Sequence, residues 1–342
     1  MRPLVSILIP AYNAEEWVGA AIASALGQTW RQKEIIVVDD GSTDGTLAAV
    51  RQFESNEVRV VTQPNQGAAA ARNRAFSLSR GDYIQWLDAD DLLSPDKVAH
   101  QMQAAGQATD GRTLFSSPWA SFRYRPAKGK FIPTPLWSDL APTEWLTRKW
   151  EGNLHMQTAT WLVSRELTEA AGPWDTRLLG DDDGEYFFRV INASNGIQFV
   201  PQSRVYYRIT PSDRLSHIGR SDKKMEAQFL GMKLQIGYLR VREDSDRVRA
   251  ACVTYLQTWL PNFYPNRPDL VQEAQQLAAG LGGRLSLPKA SWKYAWIEKL
   301  FGFAAAKHTQ LCYNQCKSSV LRGWDKMMYS FERHSTLPAG EY

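Results

Sequence analysis

The sequence predicts a doubly wound α/β protein: a mostly parallel sheet flanked by helices, with a C-terminal helical extension. Three observations predict it. Short apolar runs alternate with helical stretches over the first hundred or so residues. Each of three such runs ends in a polar cluster, at Pro10–Asn13, Asp39–Asp44 and Asp88–Asp91. Beyond residue 222 strand signals stop and helical periodicity takes over.

Taken in order, residues 4–9 (Leu-Val-Ser-Ile-Leu-Ile) form an apolar run typical of a strand buried on both faces, closed by Pro10. Asn13 is placed to cap the next helix, with Glu16 completing a capping box. Trp17, Val18, Ala21, Ile22 and Leu26 then follow at helical spacing. Residues 34–38 make a second strand, ending in Asp39-Asp40-Gly41-Ser42-Thr43-Asp44, and a helix with Leu47, Val50 and Phe53 follows. Residues 57–61 make a third strand. Asn65-Gln66-Gly67 turns into an alanine-rich helix carrying Arg72, Asn73 and Arg74. The fourth strand is Tyr83-Ile84-Gln85-Trp86-Leu87, and it runs straight into Asp88-Ala89-Asp90-Asp91.

In doubly wound sheets ligands bind beyond the carboxyl ends of strands, where the three polar clusters fall. Alternation along an extended chain puts Asp88 and Asp90 on one face. Two such acids repel unless a cation lies between them, and hard oxygen donors favour magnesium or manganese over zinc. A lone pair of this kind reads as a solvated acidic turn; three converging clusters favour a ligand site. No G-x-G-x-x-G follows the first strand and no G-x-x-x-x-G-K-[ST] occurs, so neither a dinucleotide fold nor a P-loop is indicated.

Val5–Asn13, Ile35–Asp44, Gly67–Ala75 and Gly81–Leu92, in this order and spacing, resemble the nucleotide-sugar half of the family-two inverting glycosyltransferases, which have the GT-A fold. The resemblance covers about residues 3–215. It implies that Pro10, Ala11, Tyr12, Asn13, Asp40, Ser42, Gly67, Arg72 and Asp88 bind the nucleotide-sugar, with Tyr12 on the base and Arg72 near the phosphates. It implies a metal, Mn²⁺ or Mg²⁺, at Asp88 and Asp90 with Asp91 beside them. A UDP-sugar is the foremost donor, since a carboxylate accepts the uracil N–H.

Residues 95–105 read as a helix capped near Ser94. From 112 to 150 the pattern is lost, and Trp119, Phe122, Tyr124, Phe131, Trp137, Trp145 and Trp150 are interleaved with Pro and basic residues. These rings suit a sugar-stacking acceptor surface or, equally, a small aromatic core. Residues 157–164 read as a strand. Gly172-Pro173-Trp174-Asp175 stands where the family shows a turn, and Asp181-Asp182-Asp183 opens a helix. The family's acidic pair followed six residues later by Arg matches Asp182-Asp183 with Arg189, which makes Asp183 the general base and leaves Asp182 as the other register. Trp174, Asp182, Arg189 and Arg208 belong, on the same resemblance, to the acceptor or diphosphate side. Tyr206–Thr210 with Ser212, Ser216 and His217 is a candidate lid.

The chain has 342 residues, 44% of them hydrophobic, enough for a sizeable core. Its three cysteines (Cys252, Cys312 and Cys316) give no disulfide framework and fit a reducing compartment. His308, Cys312 and Cys316 share a helix face but lack paired-cluster spacing, so reduced packing thiols are expected rather than zinc. The apolar start is too short for a signal peptide and no run is long enough to span a bilayer. The net charge of +4 argues against a nucleic-acid partner. Arg284 to Arg333 nevertheless holds nine Lys/Arg against three Asp/Glu, a net of +6, which leaves the remainder near −2. Trp292, Trp296, Leu300 and Phe303 form a stripe there with Lys289, Lys293 and Lys307 beside it. Such a stripe suits a peripheral membrane contact through 284–333, or packing on the rest of the chain.

The expected organisation is a GT-A domain over 1–222, with a nucleotide-sugar half (1–110) and an acceptor half (111–222), and a helical region over 223–342. Residues 223–260 and 268–332 read as helical. The expected function is metal-dependent, inverting transfer of a sugar from a nucleoside diphosphate to a hydroxyl of a glycan or lipid-linked acceptor, in the cytoplasm or on the inner membrane face. A non-catalytic sugar-nucleotide or glycan-binding module is one alternative, discriminated by turnover. A nucleotidyltransferase is the other; it would want a basic, glycine-rich loop after the first strand, and Pro10-Ala11-Tyr12-Asn13 is not one.

Overall fold

The computed structural model describes residues 2–108, 110–210 and 221–335. The first half alternates as predicted: β1 (Val5–Ala11), α1 (Val18–Leu26), β2 (Lys33–Asp39), α2 (Thr46–Arg51), β3 (Val58–Thr62), α3 (Ala68–Leu78) and β4 (Tyr83–Trp86). Then come β5 (Leu92–Leu93), α4 (Lys97–Ala105), β6 (Thr113–Ser116), β7 (Trp119–Phe122), β8 (Lys130–Phe131), α5 (Pro142–Glu151), β9 (Val163–Ser164) and α6 (Arg165–Ala171). The rest is α7 (Asp182–Ala193), β10 (Gly196–Phe199), β11 (Val205–Arg208), α8 (Asp222–Arg242), α9 (Asp246–Phe263), α10 (Pro268–Gly280) and α11 (Ala295–Ser335).

The main sheet has the order β3-β2-β1-β4-β9, parallel except for the antiparallel edge strand β9. Its strands read as continuous apolar runs because both faces are covered. Leu8, Ile36 and Val38 join one core, and Ile7, Ile9, Ile35 and Val37 join the other. The chain runs outward from β1 to β3 and then returns to the far side of β1 as β4. That reversal is a switch point, and it opens a crevice at the carboxyl ends of β1 and β4. A second sheet, β5-β11-β7-β8, carries Arg208 at the end of β11.

Several expectations are corrected. Asn13 does not cap α1, which starts at Val18; Asn13 sits at φ +47° and its side chain is spent on the neighbouring loop. Residues 157–164 are mostly not strand: Thr158–Thr160 is a single 3₁₀ turn, and only Val163–Ser164 pairs with β4. The helix expected over 223–260 is two helices, parted at Glu243–Ser245, where the Ser245 hydroxyl accepts the Val248 N–H at 3.4 Å. Helix formation over 268–332 is interrupted between Gly280 and Trp292.

The aromatic stretch is chiefly core. Trp145, Trp150 and Phe122 are buried, and Trp137 stacks on Phe199. Trp150 stacks on Tyr255 of α9 with centroids 4.5 Å apart. One apolar cluster therefore runs from α5 and α7 through α8, α9 and α10. Each such side chain taken fully out of water contributes about 1.5–3 kcal/mol, so the helical region is built onto the sheet. Cys252 packs in this cluster, whereas Cys312 and Cys316 are exposed. In the tail, Trp292, Trp296 and Leu300 are exposed as a stripe would require. Phe303 is instead half-buried against Tyr264, and the Lys307 ammonium donates to the Pro261 carbonyl. No helix among the described residues is long and apolar enough to cross a membrane.

Candidate active site

The loops after β1 and β2 are fastened to each other. The Asn13 N–H donates to Ser42 Oγ at 3.0 Å, and Asn13 Oδ1 accepts the Thr43 N–H at 2.9 Å. The Ala14 N–H donates to Thr46 Oγ1 at 2.7 Å. Ala11 is buried, while Tyr12 is 50% exposed at the crevice end of β1, as a ring that packs on a base would need to be.

Asp39 and Asp40 end β2 and have different occupations. Asp40 Oδ1 accepts from Gln63 Nε2 (2.8 Å) and the Gln66 N–H (3.0 Å), and Oδ2 accepts the Gly67 N–H (2.8 Å). Asp40 therefore staples the turn into α3. Gly67 is at φ +90°, where a side chain is strained, so the staple needs glycine there. Asp39 is also buried, but its Oδ1 has no hydrogen-bond partner among the described residues. Asp39 is a candidate ligand that the resemblance does not assign. The available signal was the adjacent pair itself, since neighbours on a strand face opposite ways and only one can serve the loop.

The carboxylates after β4 are not on a strand. β4 ends at Trp86, and the Asp91 N–H donates to the Asp88 carbonyl at 3.1 Å, so Asp88–Asp91 is a turn. The alternation argument for Asp88 and Asp90 thus fails, although the turn keeps both at the crevice end of the strand. Asp88 Oδ1 accepts from Arg72 Nη2 at 2.8 Å. Asp91 is buried and its Oδ1 accepts the Arg208 N–H at 2.8 Å, which ties the turn to β11. Arg208 Nε donates to the Asp90 carbonyl at 2.8 Å, and the guanidinium lies 4.5 Å from the Trp17 ring and 4.4 Å from Phe122. Burial lowers the Arg208 pKa, against the pull of Asp90 and Asp91.

Arg72 is buried, and it bridges two halves of the chain. Its Nη1 donates to Asp182 Oδ2 at 2.7 Å while Nη2 holds Asp88, and its plane lies 4.4 Å over Trp174. Burial pulls its pKa down, but Asp182 and Asp88 outweigh that and raise it, so it stays charged. The Arg72 guanidinium thus links the turn after β4 to the start of α7. Trp174 is likewise a buried shelf, stacked on Tyr186 with centroids 3.9 Å apart, not an acceptor platform. Arg189 is occupied by Glu185 and by the carbonyls of Ala171 and Pro173, so it braces the turn before α7.

The three acids that open α7 differ in role. Asp182 is buried; burial raises its pKa and Arg72 opposes the rise. Asp183 is half-buried, accepts from Thr158 Oγ1 at 3.4 Å, and lines a pocket with Lys149, His155 and Trp145. Asp181 sits in the left-handed region (φ 56°, ψ 24°) and accepts from Gln228 Nε2 of α8 at 3.0 Å. Its carboxyl is pushed up to about 6, chiefly by burial. Of the candidate lid, residues 211–217 lie outside the described residues, while Tyr206 and Tyr207 are in β11.

An exposed ring, strand-end acids and an arginine-tied acidic helix start thus stand near the carboxyl ends of a doubly wound sheet. Residues 6–169 match the family model described as glycosyl transferase family 2. Over that stretch, just under half of its length, the chain is similar to that family. It is 28% identical over 272 residues to the putative glycosyltransferase EpsH of Bacillus subtilis, covering 75% of this chain and 78% of that protein. It is 47% identical over 98 residues to the chondroitin synthase of Escherichia coli, which is 28% of this chain and 14% of the synthase. Relatives at 36–47% identity are covered over 10–42% of their own length. Among solved structures, TarS 1-349 of S. aureus in complex with UDP-GlcNAc superposes with a TM-score of 0.61 at 14% identity, covering 81% of each chain, which establishes the shared fold.

Proposed function

We propose that this chain transfers a sugar from a nucleoside diphosphate donor, a UDP-sugar foremost, to a hydroxyl of a glycan or lipid-linked acceptor, with inversion. The observation that carries the reading is the arginine bridge. Arg72 joins the carboxylate turn of β4 to the acidic start of α7, so leaving-group and base machinery meet in one crevice. Support for UDP comes from Asp39, which pairs in register with Ala11 just before the exposed Tyr12 and whose unpartnered buried oxygen suits a uracil N–H.

In this reading Tyr12 packs on the base, and Asn13, Ser42 and Gly67 keep the nucleoside loops in place. Asp88 and Asp90 would hold Mg²⁺ or Mn²⁺. Among the described residues no three His, Cys, Asp or Glu gather into a metal group. Two carboxylate donors, with the rest of the shell from diphosphate and water, is the usual pattern for magnesium. The ion would neutralise charge developing on the leaving diphosphate. Asp183 takes the proton of the acceptor hydroxyl as that oxygen attacks the anomeric carbon opposite the diphosphate. Asp182 is spent on Arg72, which favours Asp183 as the base. We take 1–222 as the catalytic unit and 223–342 as a helical region that supports it and makes a peripheral contact with the inner membrane face through 284–333.

A panel of UDP-, GDP- and TDP-sugars with manganese, scored for free nucleoside diphosphate, tests this. One donor should turn over, and Asp88→Ala or Asp90→Ala should abolish metal-dependent turnover. Pyrophosphate release from a nucleoside triphosphate, or binding without turnover across the panel, would overturn the reading.

A further inference from the structure

Helix α11 is amphipathic in the inverted sense. A surface helix ordinarily turns its apolar face inward and its polar face to water. Here the polar face is the one fastened to the protein. Asp325 accepts the Tyr124 N–H at 2.9 Å and Arg125 Nε at 2.8 Å, and Glu332 accepts Arg125 Nη1 at 2.8 Å. Lys326 lies 3.9 Å from Glu16, and the Tyr329 ring lies 6.1 Å from Tyr124. At about 100° per residue, Tyr313, Val320, Trp324, Met327 and Phe331 fall within about 60° of one another, roughly opposite Asp325, Tyr329 and Glu332. This stripe faces outward: Val320 is 72% exposed, Trp324 59% and Phe331 64%. Before the break at Gly302, Trp292, Trp296, Leu300 and Phe301 are exposed as well.

Charge selects the occupant. Residues 284–333 carry nine Lys/Arg and three Asp/Glu. Asp325 and Glu332 are engaged by Arg125, and Glu298 accepts the Ala290 N–H at 2.9 Å. What the region offers outward is therefore basic and aromatic, the composition of a helix lying in an anionic lipid interface. Pairing with a second copy would want acids flanking the stripe to meet Lys317; the two acids of α11 beyond Gly302 are both on the inner side.

We propose that the Tyr313–Phe331 stripe docks on an anionic lipid surface and thereby holds the mouth of the crevice at the bilayer. This rests on the peripheral contact proposed above and fixes its surface and its orientation. From α11 contact passes through Tyr124 to Trp17 (5.4 Å) and on to Arg208, which is tied to the carboxylate turn. An acceptor hydroxyl carried on a lipid would then arrive beside the donor diphosphate.

The test uses the full chain and needs no turnover, so its failure is separable from failure of the transferase reading. The protein should pellet at low salt with vesicles of mixed phosphatidylglycerol and phosphatidylcholine, and not with phosphatidylcholine alone. Replacing Val320, Trp324, Met327 and Phe331 together by Ser should weaken this by about tenfold or more. An environment-sensitive dye on Cys316, in a Cys312→Ser background, should shift to the blue on the mixed vesicles with the stripe intact. Absence of both pelleting and dye shift at low salt overturns the proposal. So does undiminished pelleting of the four-residue variant, or conversion by that variant of a dimer to a monomer, which would assign the stripe to a second copy.

Discussion

Arg72 Nη1 lies 2.7 Å from Asp182 Oδ2, although 110 positions separate the two residues. The contact is buried on both sides, with 8% and 10% of the side chains exposed. Removing one partner of such a pair strands the other charge. Arg72→Met should therefore cost about 3–5 kcal/mol in urea unfolding. Arg72→Lys should recover the charge without the two-pronged bridge to Asp88 and Asp182, leaving a folded protein with reduced turnover.

The division of labour at the start of α7 predicts different failures for neighbouring acids. Asp183→Asn should retain donor binding and lose transfer by about 10²–10⁴-fold, the usual worth of a general base. Asp182→Asn should lower the melting temperature by weakening the Arg72 bridge. Titration calorimetry with UDP, kinetics and thermal melts separate the two. Full activity in Asp183→Asn with a dead Asp182→Asn would move the base by one residue.

At the end of β2 the pair Asp39 and Asp40 should also separate. Asp39→Ala removes one oxygen without a partner and one that accepts only a long hydrogen bond, from the Ser42 N–H at 3.4 Å, so stability should change little while UDP binding weakens by about tenfold or more, the scale of a lost hydrogen bond to a charged group. Asp40→Ala leaves the Gln66 and Gly67 N–H groups unpaired and should destabilise by about 1–3 kcal/mol.

Asp181 predicts a pH dependence of unusual sign for a carboxylate. Its folded-state value is raised from 3.8 to about 6, so between those values the native state holds the proton more tightly than the unfolded chain. Stability contributed by this group falls as pH rises through that window. Asp181→Asn is neutral throughout, and asparagine tolerates the left-handed backbone found here. Melting temperatures between pH 4 and 7 should fall less steeply in the variant, with its relative gain greatest above pH 6.

The order of strands and helices through β4 and the placement of three polar clusters at strand ends were legible in the sequence. Apolar runs such as Ser6–Ile9 and Ile35–Val38 specify strands buried on both faces, and those faces are now seen in two cores. The same local logic failed where backbone direction changes. Alternation could not see that β4 ends at Trp86, because a turn closed by the Asp91 N–H leaves no local apolar signature. Nor could it see that Asn13 spends its side chain on Thr43, a partner 30 positions away.

The fold class and the residue types offered at the strand ends follow from period, turn chemistry and strand-end position, which are local properties of the chain. How those residues are shared out depends on contacts made in three dimensions. The fold gave Asp40 to a loop and left Asp39 with an open oxygen, gave Asp182 to Arg72 and left Asp183 on a pocket wall, and turned the polar face of α11 inward. The physical reason is that a carboxylate's role depends on which donors lie within hydrogen-bonding distance of it. Here many of those donors come from distant parts of the chain.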